Sequence, residues 1–451
     1  MREYLKEMLS KYGSSDYSEI RAEESISTEI IYTNGKLEKI STGTEKGGQI
    51  RTIIGGTQGV VTFNKFENLD KKFEKAYSLA KSADIKGGLA KTKPIKGEFK
   101  YEVKEDPRKI PLEEKENLVR NYSELFKGMK KLQKVQIRYK DRWVKRYFLT
   151  NEGTDIVQEL IYTHIAFYFI ARDGSVIQRR TYSVGKQAGF EIVKGHEEIA
   201  LKRAKEAVEL LSAEMVEPGV YTVILDQDIS GVFIHEAFGH LAEADHVFKN
   251  EKLKEIMKKG KKIGNEILSV VDDGSIKGEW GFYFFDDEGV QPEKTYIIKN
   301  GILNSYLHSR ETAYVLGDKS TGNARAINYE HPPIVRMSAT YIEPREKTLE
   351  ELLDIPKGIY AIGSVGGQTA IETFTFVSQK AYLIENGKIK KTLRGITLSG
   401  NVFETLLNIE AIGNDLKFNA GGCGKNGQSP LPVSVGGPHI RIKNVLISGG
   451  A

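Results

Sequence analysis

The segment Ile234-His235-Glu236-Ala237-Phe238-Gly239-His240 reads His-Glu-x-x-x-His, in a chain with only eight histidines among 451 residues. Two neutral imidazoles this close suit a divalent ion such as zinc, and a glutamate beside one of them can take a proton from a water that the ion has acidified. The chemistry suggested is metal-assisted hydrolysis. The spacing is one residue longer than His-Glu-x-x-His, which sets both imidazoles on one helix face. Five positions apart on a regular α-helix, two side chains diverge by roughly 140° and cannot share an ion. Metal binding therefore predicts a distortion, either a π-type bulge or an unwound turn before His240, with Gly239 as the residue most able to allow it. The competing reading is a buried amphipathic helix with two incidental histidines.

A catalytic zinc takes three protein ligands and keeps one position open. Candidates for the third are Glu243, Asp245, His246 and Cys423, the sole cysteine. Cys423 lies in Gly421-Gly422-Cys423-Gly424-Lys425-Asn426-Gly427-Gln428-Ser429. A thiolate is the softest ligand available, and a cysteine between glycines suits ligation better than core packing, although a small buried hydrophobe is the plainer reading. On chemistry alone the thiol and an acid are equally good. Glu243 and Asp245 can instead orient the ligand histidines, or form a solvated acidic tail. His331, between Glu330 and Pro332-Pro333, offers a proton donor or oxyanion partner, or is a loop histidine. Gly363-Ser364-Val365-Gly366-Gly367-Gln368 lacks the Gly-Lys-Ser/Thr ending of a phosphate loop and reads as a tight β turn.

The elements that must position these residues follow from periodicity. Leu5, Met8, Leu9 and Tyr12 share one stripe of a helix over 1–13, stopped by Gly13. Residues 17–63 read as strands with a hairpin at Asn34-Gly35. A helix follows over about 66–84, with Asn64 and Glu67 as a capping box and Leu69, Phe73, Ala76, Tyr77, Ala80 and Ala83 on its apolar face. Residues 85–110 look like a linker or long loop. Pro111 opens a helix to about 131, 133–193 is again β, and a helix over about 196–215 ends before Pro218-Gly219. From 220 onward strand signals dominate, with many glycine turns and a single helix near 229–240, the one carrying the histidines. The fold class expected is α+β: an N-terminal mixed region, then a mostly β, glycine-rich C-terminal domain. The division expected is 1–105, 106–216 and 217–451.

Hydrophobic content of 39% and charged content of 28% are ordinary for a soluble globular chain. The net charge of +5 is small and gives no argument for nucleic acid. No apolar run is long enough for a membrane span. Met1-Arg2-Glu3-Tyr4-Leu5-Lys6-Glu7 is charged where a signal peptide is apolar, and a lone cysteine excludes intrachain disulfides, so a cytoplasmic enzyme is expected.

The chain resembles the TldD/PmbA family, on its metal-bearing TldD side. The resemblance rests first on the histidine block with Glu243 and Asp245 and on the cysteine block 423–429, which together are very specific. Weaker segments are Gly47-Gly48-Gln49-Ile50-Arg51 with Gly59-Val60-Val61, Asp286-Asp287-Glu288-Gly289 and Gly301-Ile302-Leu303 as a β-hairpin signature, Arg336-Met337, and Gly366-Gly367-Gln368. The resemblance implies a zinc metalloprotease with His235, His240 and Cys423 as zinc ligands and Glu236 as catalytic residue. It implies unfolded or extended peptides as substrates, and a dimer with a TldE/PmbA-like sister subunit lacking the metal motif, or with itself. Two departures concern substrate contacts: Gly322-Asn323-Ala324-Arg325-Ala326 stands where the family commonly has Gly-Arg-Arg after Gly-Asn, and Ala339 replaces a usual Asn. The alternatives are a non-catalytic regulatory subunit with a structural zinc, and a gyrase-modulating or nucleic-acid-associated protein, which the near-balanced charge does not support.

Overall fold

The computed structural model describes residues 2–11, 15–83, 87–370 and 372–449. Strands Tyr17–Thr33 and Lys36–Ile54 meet at Asn34-Gly35, whose φ values of 51° and 78° suit a two-residue hairpin turn. Leu132–Thr150 and Asp155–Asp173 form a second long hairpin, and Leu132–Thr150 pairs antiparallel with Tyr17–Thr33. These four strands are the centre of a seven-stranded sheet. Thr57–Phe63 lies at one side, and Lys96–Lys100 and Val176–Lys186 both pair with Asp155–Asp173 at the other.

The two faces of this sheet are divided by residue parity, because successive side chains on a strand point oppositely. In Leu132–Thr150 the odd-numbered Val135, Ile137 and Tyr139 pack against helices Leu112–Glu124 and Glu197–Glu209. Tyr147 and Leu149, also odd, meet helices Arg2–Lys11 and Leu69–Ala80. The even-numbered Val144 and Phe148 face the other way, onto Phe282, Tyr283 and Phe285 of the C-terminal region. The sheet is thus covered by helices on one face and by the rest of the chain on the other.

Besides the two-stranded pair Ala324–Arg325 and Ile334–Val335, the C-terminal region holds two larger sheets. In one, five strands close into a ring: Lys357–Ala370, Gly219–Leu225, Ile440–Gly449, Ile396–Asn401 and Thr373–Glu385, the last pairing back to the first. The other has six strands, ending in Ala339–Ile342, Gln428–Gly437 and, at its edge, Lys417–Lys425. Helix Gln227–Ile234 lies between them and drives Phe233 against Phe374 and Phe376 of the ring, with centroids 5.4 and 5.8 Å apart. The architecture is α+β with a mostly β C-terminal region. No helix among the described residues is long and apolar enough to cross a membrane.

Several local expectations are corrected. Tyr12 and Gly13 lie outside the described residues. The second helix begins at Leu69 without the Asn64 and Glu67 box; Asn68 precedes it at φ 53° with no side-chain cap, and Ala83 is exposed beyond its end. The stretch read as a linker contains Lys96–Lys100, parallel to residues 155–159, because Phe99 packs on Phe285 at 4.7 Å. The helix from Pro111 stops at Glu124, and that from 196 stops at Glu209 with a 3-10 turn to Ser212. The C-terminal region has short helices besides the histidine helix, among them Arg310–Leu316 and Leu349–Leu353, each started by a capping box. Residues 363–368 are not a turn: they run inside Lys357–Ala370, with a bulge between Ser364 and Gly366. The segment 286–289 forms a tight turn, not a hairpin, whereas Asn300-Gly301 does turn a hairpin.

Candidate metal centre

Strand Gly219–Leu225 leads directly into helix Gln227–Ile234, which Asp226 caps by accepting from Ile229 N at 3.0 Å. The other Asp226 oxygen accepts from Gly363 N at 2.8 Å, tying the start of the helix to the bulged strand. Its middle presses on strand Gln428–Gly437 at backbone range. A Cβ on Gly437 would lie 2.1 Å from Ser230 Oγ, and one on Gly231 3.1 Å from Gly436 N. Ser230 Oγ completes the contact by donating to Pro438 O at 2.6 Å. Gln428–Gly437 in turn pairs antiparallel with Lys417–Lys425, opposing Leu431 to Cys423. The helix that carries the histidines and the strand that carries the thiol are therefore indexed to one intermediate strand.

The five-residue spacing is accommodated as geometry demands. Residues His235–Gly239 form a π turn in which His240 N–H donates to His235 C=O, and a 3-10 turn follows over His240–Ala242. Gly239 is needed for another reason than backbone freedom. Its φ of −55° and ψ of −48° are ordinary helical values, but a Cβ there would lie 2.1 Å from the Sδ of buried Met337.

One ligand atom each of His235, His240 and Cys423 lies within 4.8 Å of the other two. The imidazole rings are 5.2 Å apart and nearly perpendicular. Cys423 Sγ and His240 Nε2 are separated by 3.6 Å. A tetrahedral zinc with Zn–S about 2.3 Å and Zn–N about 2.05 Å needs a sulfur–nitrogen separation of about 3.6 Å. His235 is 3% exposed, and its Nδ1 is buried with no hydrogen-bond partner, an unpaired ring nitrogen whose lone pair, in the matching tautomer, a metal would take up. Two imidazoles and one thiol are a donor set that suits zinc, and the residues present fit such an ion.

Glu243 does not join this group but supports it. Fully buried, its carboxylate accepts from His240 Nδ1 at 3.0 Å, leaving Nε2 turned toward Cys423. Lys425, two residues beyond the cysteine, reaches Glu243 at 3.1 Å and Asp245 at 2.7 Å. Burial would raise the Glu243 carboxyl, but the Lys425 charge and the His240 bond outweigh it and hold it at about 2. Burial also works against a charged His240 and against a Cys423 thiolate. The mutual bonds of the cluster prevail, lifting the imidazole to about 10 and lowering the thiol to about 5. His246 is half-exposed, 3.7 Å from Glu243. His331 stays in its own loop, with Nδ1 2.9 Å from Asn328 Oδ1, while its carbonyl accepts from Arg21.

Glu236 points one oxygen to 3.8 Å from His240 Nε2 and lines a cleft of about 340 Å³ together with His235. Tyr182 and Ser183 of strand Val176–Lys186 form one wall, and Ala420 and Gly422 of Lys417–Lys425 another. Ser434 N donates to Ser338 O and Pro432 O accepts from Arg325 Nη2, so both turn away from Lys417–Lys425. Their partners Ala420 and Gly422 must then direct their backbone N–H and C=O outward, on the unpaired side of this edge strand. Arg336, fully buried, donates to Cys423 O at 2.7 Å and Gln428 O at 3.2 Å and so pins both ends of the turn after the cysteine. The roles of Lys425 and Arg336, and the tie of Asp226 to Gly363, depend on partners far along the chain, and no local pattern announces them.

Family models describe the same chain in three stretches: PmbA/TldA metallopeptidase domain 1 over residues 18–80, the central domain over 105–213, and the C-terminal domain over 218–449. A metalloprotease of Synechocystis is 39% identical, covering 99% of this chain and 98% of its own. A zinc metalloprotease TldD homolog of Saccharolobus solfataricus is 31% identical over the whole of both chains. Two crystal structures share the fold at low identity. A putative modulator of a DNA gyrase from Thermotoga maritima has TM-score 0.82 and 22% identity, over 99% of each chain. TldE from Thermococcus kodakarensis has TM-score 0.78 and 19% identity, over 99% of this chain and 100% of that one.

Proposed function

The chain belongs to the PmbA/TldA metallopeptidase family, and from that premise we propose that it is a zinc-dependent peptidase acting on unfolded or extended peptides. The observation that carries this reading is the convergence of His235, His240 and Cys423 beside a cleft that Glu236 also lines. His235 and His240 offer ring nitrogens and Cys423 its thiolate. When bound there, a divalent ion supplies Lewis acidity, which lowers the pKa of water and polarises a peptide carbonyl. Glu236 is the general base: it takes the proton of the attacking water and delivers it to the departing amine nitrogen. Glu243 keeps His240 in the tautomer with Nε2 free, and Lys425 offsets the buried charge of Glu243. A group of three protein ligands among the described residues, with Glu236 adjacent but outside it, favours catalysis over a structural zinc, which takes four.

The peptide is expected to bind as an added strand on the open side of Lys417–Lys425, where the outward backbone groups of Ala420 and Gly422 would pair with it whatever its side chains. The protein is expected to work as a dimer, with a TldE-like sister chain or with itself. Metal analysis of the purified protein, coupled to an assay on unstructured peptides before and after chelation, tests the reading. Near-stoichiometric zinc and chelator-sensitive cleavage are expected; cleavage unaffected by complete metal removal would overturn it.

A further inference from the structure

The cleft that holds Glu236 does not end at its own wall. Gln379 lines it, and Gln379 also lines a second pocket of about 280 Å³. The same three strand segments furnish both compartments. Val176–Lys186 gives Tyr182 to the first and Arg179 to the second; the bulged strand gives Ser364 to one and Val365 to the other; Thr373–Glu385 contributes Gln379 to both. The two spaces adjoin and share Gln379 as a common wall. That wall is stiff, because the Gln379 amide spends its hydrogen bonds between the strands. Its Oε1 accepts from Thr181 N at 2.9 Å and Arg180 Nη1 at 3.1 Å, and its Nε2 donates to Thr181 Oγ1 at 2.7 Å and Ser364 O at 2.8 Å. From Tyr182 to Arg179 is three strand residues, about 10 Å, which about three residues of an extended peptide span.

The second pocket has a distinct chemistry. Half-buried Ile170 and Val377 and the exposed Ile177 supply apolar surface, Arg179 and Arg394 supply two guanidinium groups, and among the described residues no acidic one lines it. Arg394 donates only to backbone carbonyls, Ala213 O at 2.9 Å and Leu211 O at 3.3 Å. Among the described residues neither guanidinium meets a carboxylate, although most of the other arginines do. Arg179 is exposed at the mouth of this pocket and Arg394 half-buried in its wall, so two guanidinium groups free of carboxylate partners face an open, partly apolar space, an arrangement complementary to a planar anion on an apolar body. We propose that this pocket is a substrate subsite that receives a carboxylate of the bound peptide, either its C-terminal group or an acidic side chain near that end. The proposal rests on the peptidase reading for its substrate class, but its recognition step can be measured without turnover.

The test uses three peptides of one sequence: a free C-terminus, an amidated C-terminus, and an amidated C-terminus with glutamate as the last residue. Steady-state constants are measured for the wild type, Arg179→Gln and Arg179→Lys, and direct binding by fluorescence anisotropy for the same chains carrying Glu236→Gln. A carboxylate-bearing peptide is expected to show KM about tenfold below the amide, at similar kcat, the worth of one charge-assisted contact at a partly open site. Arg179→Gln should erase this difference by raising KM for the carboxylate peptides alone, and Arg179→Lys should keep part of it. Unchanged turnover of the plain amide shows that the variants are folded. Preference for the free C-terminus or for the glutamate peptide identifies the source of the anion. Equal KM and equal binding for all three peptides in the wild type would overturn the proposal, as would a preference that survives Arg179→Gln. If no peptide is cleaved yet the Arg179-dependent preference in binding remains, the peptidase reading fails and the subsite stands.

Discussion

Glu236 and Cys423 make separable contributions, and substitution should show it. Glu236 touches no ligand atom closer than 3.8 Å, so Glu236→Gln should retain the metal and lose cleavage by about a hundredfold or more, the usual scale of a general-base step. Cys423→Ser should instead lose the metal, because a hydroxyl is a poor zinc donor. Metal content and turnover of both proteins, measured side by side, check this; full turnover by Glu236→Gln would remove its role as base. A different residue governs acid stability. His164 packs at a tilt against Trp280, 5.6 Å between ring centroids, and burial, with Lys140 and Arg138 nearby, lowers it to about 4. An unfolded imidazole titrates near 6.5. Between those values the unfolded chain takes up a proton that the folded chain refuses, so stability falls as pH is lowered from about 6.5 toward 4. His164→Phe should flatten part of that decline in urea midpoints, with buried His308 accounting for some of the remainder. An identical slope in the variant would place the loss elsewhere.

The helix that bears the histidines shows what local sequence can and cannot disclose. Five-residue spacing is incompatible with a shared ion on a regular helix, and this alone demanded a distortion, of which the π turn at His235–Gly239 is one of the two forms expected. The use made of Gly239 was hidden, since it depends on Met337, nearly a hundred residues on. Gly239→Ala should therefore destabilise by about 1–3 kcal/mol through overpacking, measured by denaturant unfolding. Pairing it with Met337→Ala should return part of the loss, and an additive double variant would show that the two residues do not compete for space. Long strands and amphipathic helices in the first half were legible because their period repeats over many residues. Lys96–Lys100 was not, being five residues, Lys-Gly-Glu-Phe-Lys, with one large apolar side chain and paired at an edge. The helices of four to seven residues in the C-terminal region fall below the length at which periodicity speaks; caps mark Arg310–Leu316 and Leu349–Leu353, and Ala244–Val247 lacks even a side-chain cap. Cys423 could be nominated by its rarity and its glycine neighbours, whereas Lys425 and Arg336 acquire meaning only once distant strands are in register.

At the scale of the molecule, the two halves are locked by buried charge. Arg51 of the N-terminal sheet is 3% exposed and pairs with Glu19 at 2.7 Å and Glu288 at 3.0 Å, while Arg21 reaches Asp287 at 3.2 Å. Strand Val176–Lys186 belongs to one half and Lys417–Lys425 to the other, yet both wall the same cleft. On the proposed peptidase reading, a groove built this way would admit an extended chain and exclude a compact domain, so a denatured substrate protein should be digested and its folded form spared. Equal digestion of the two forms would contradict an enclosed cleft. The ring of strands has a further consequence. Ile440–Gly449 sits between Gly219–Leu225 and Ile396–Asn401, so the first strand of the ring is sealed by the last. On the ribosome both histidines are made 183 residues or more before the thiol, and the strand that closes the ring emerges later still. The three donors meet only after Cys423 has been made, and a chain halted before it carries none of the assembled site into the company of other nascent, still extended chains.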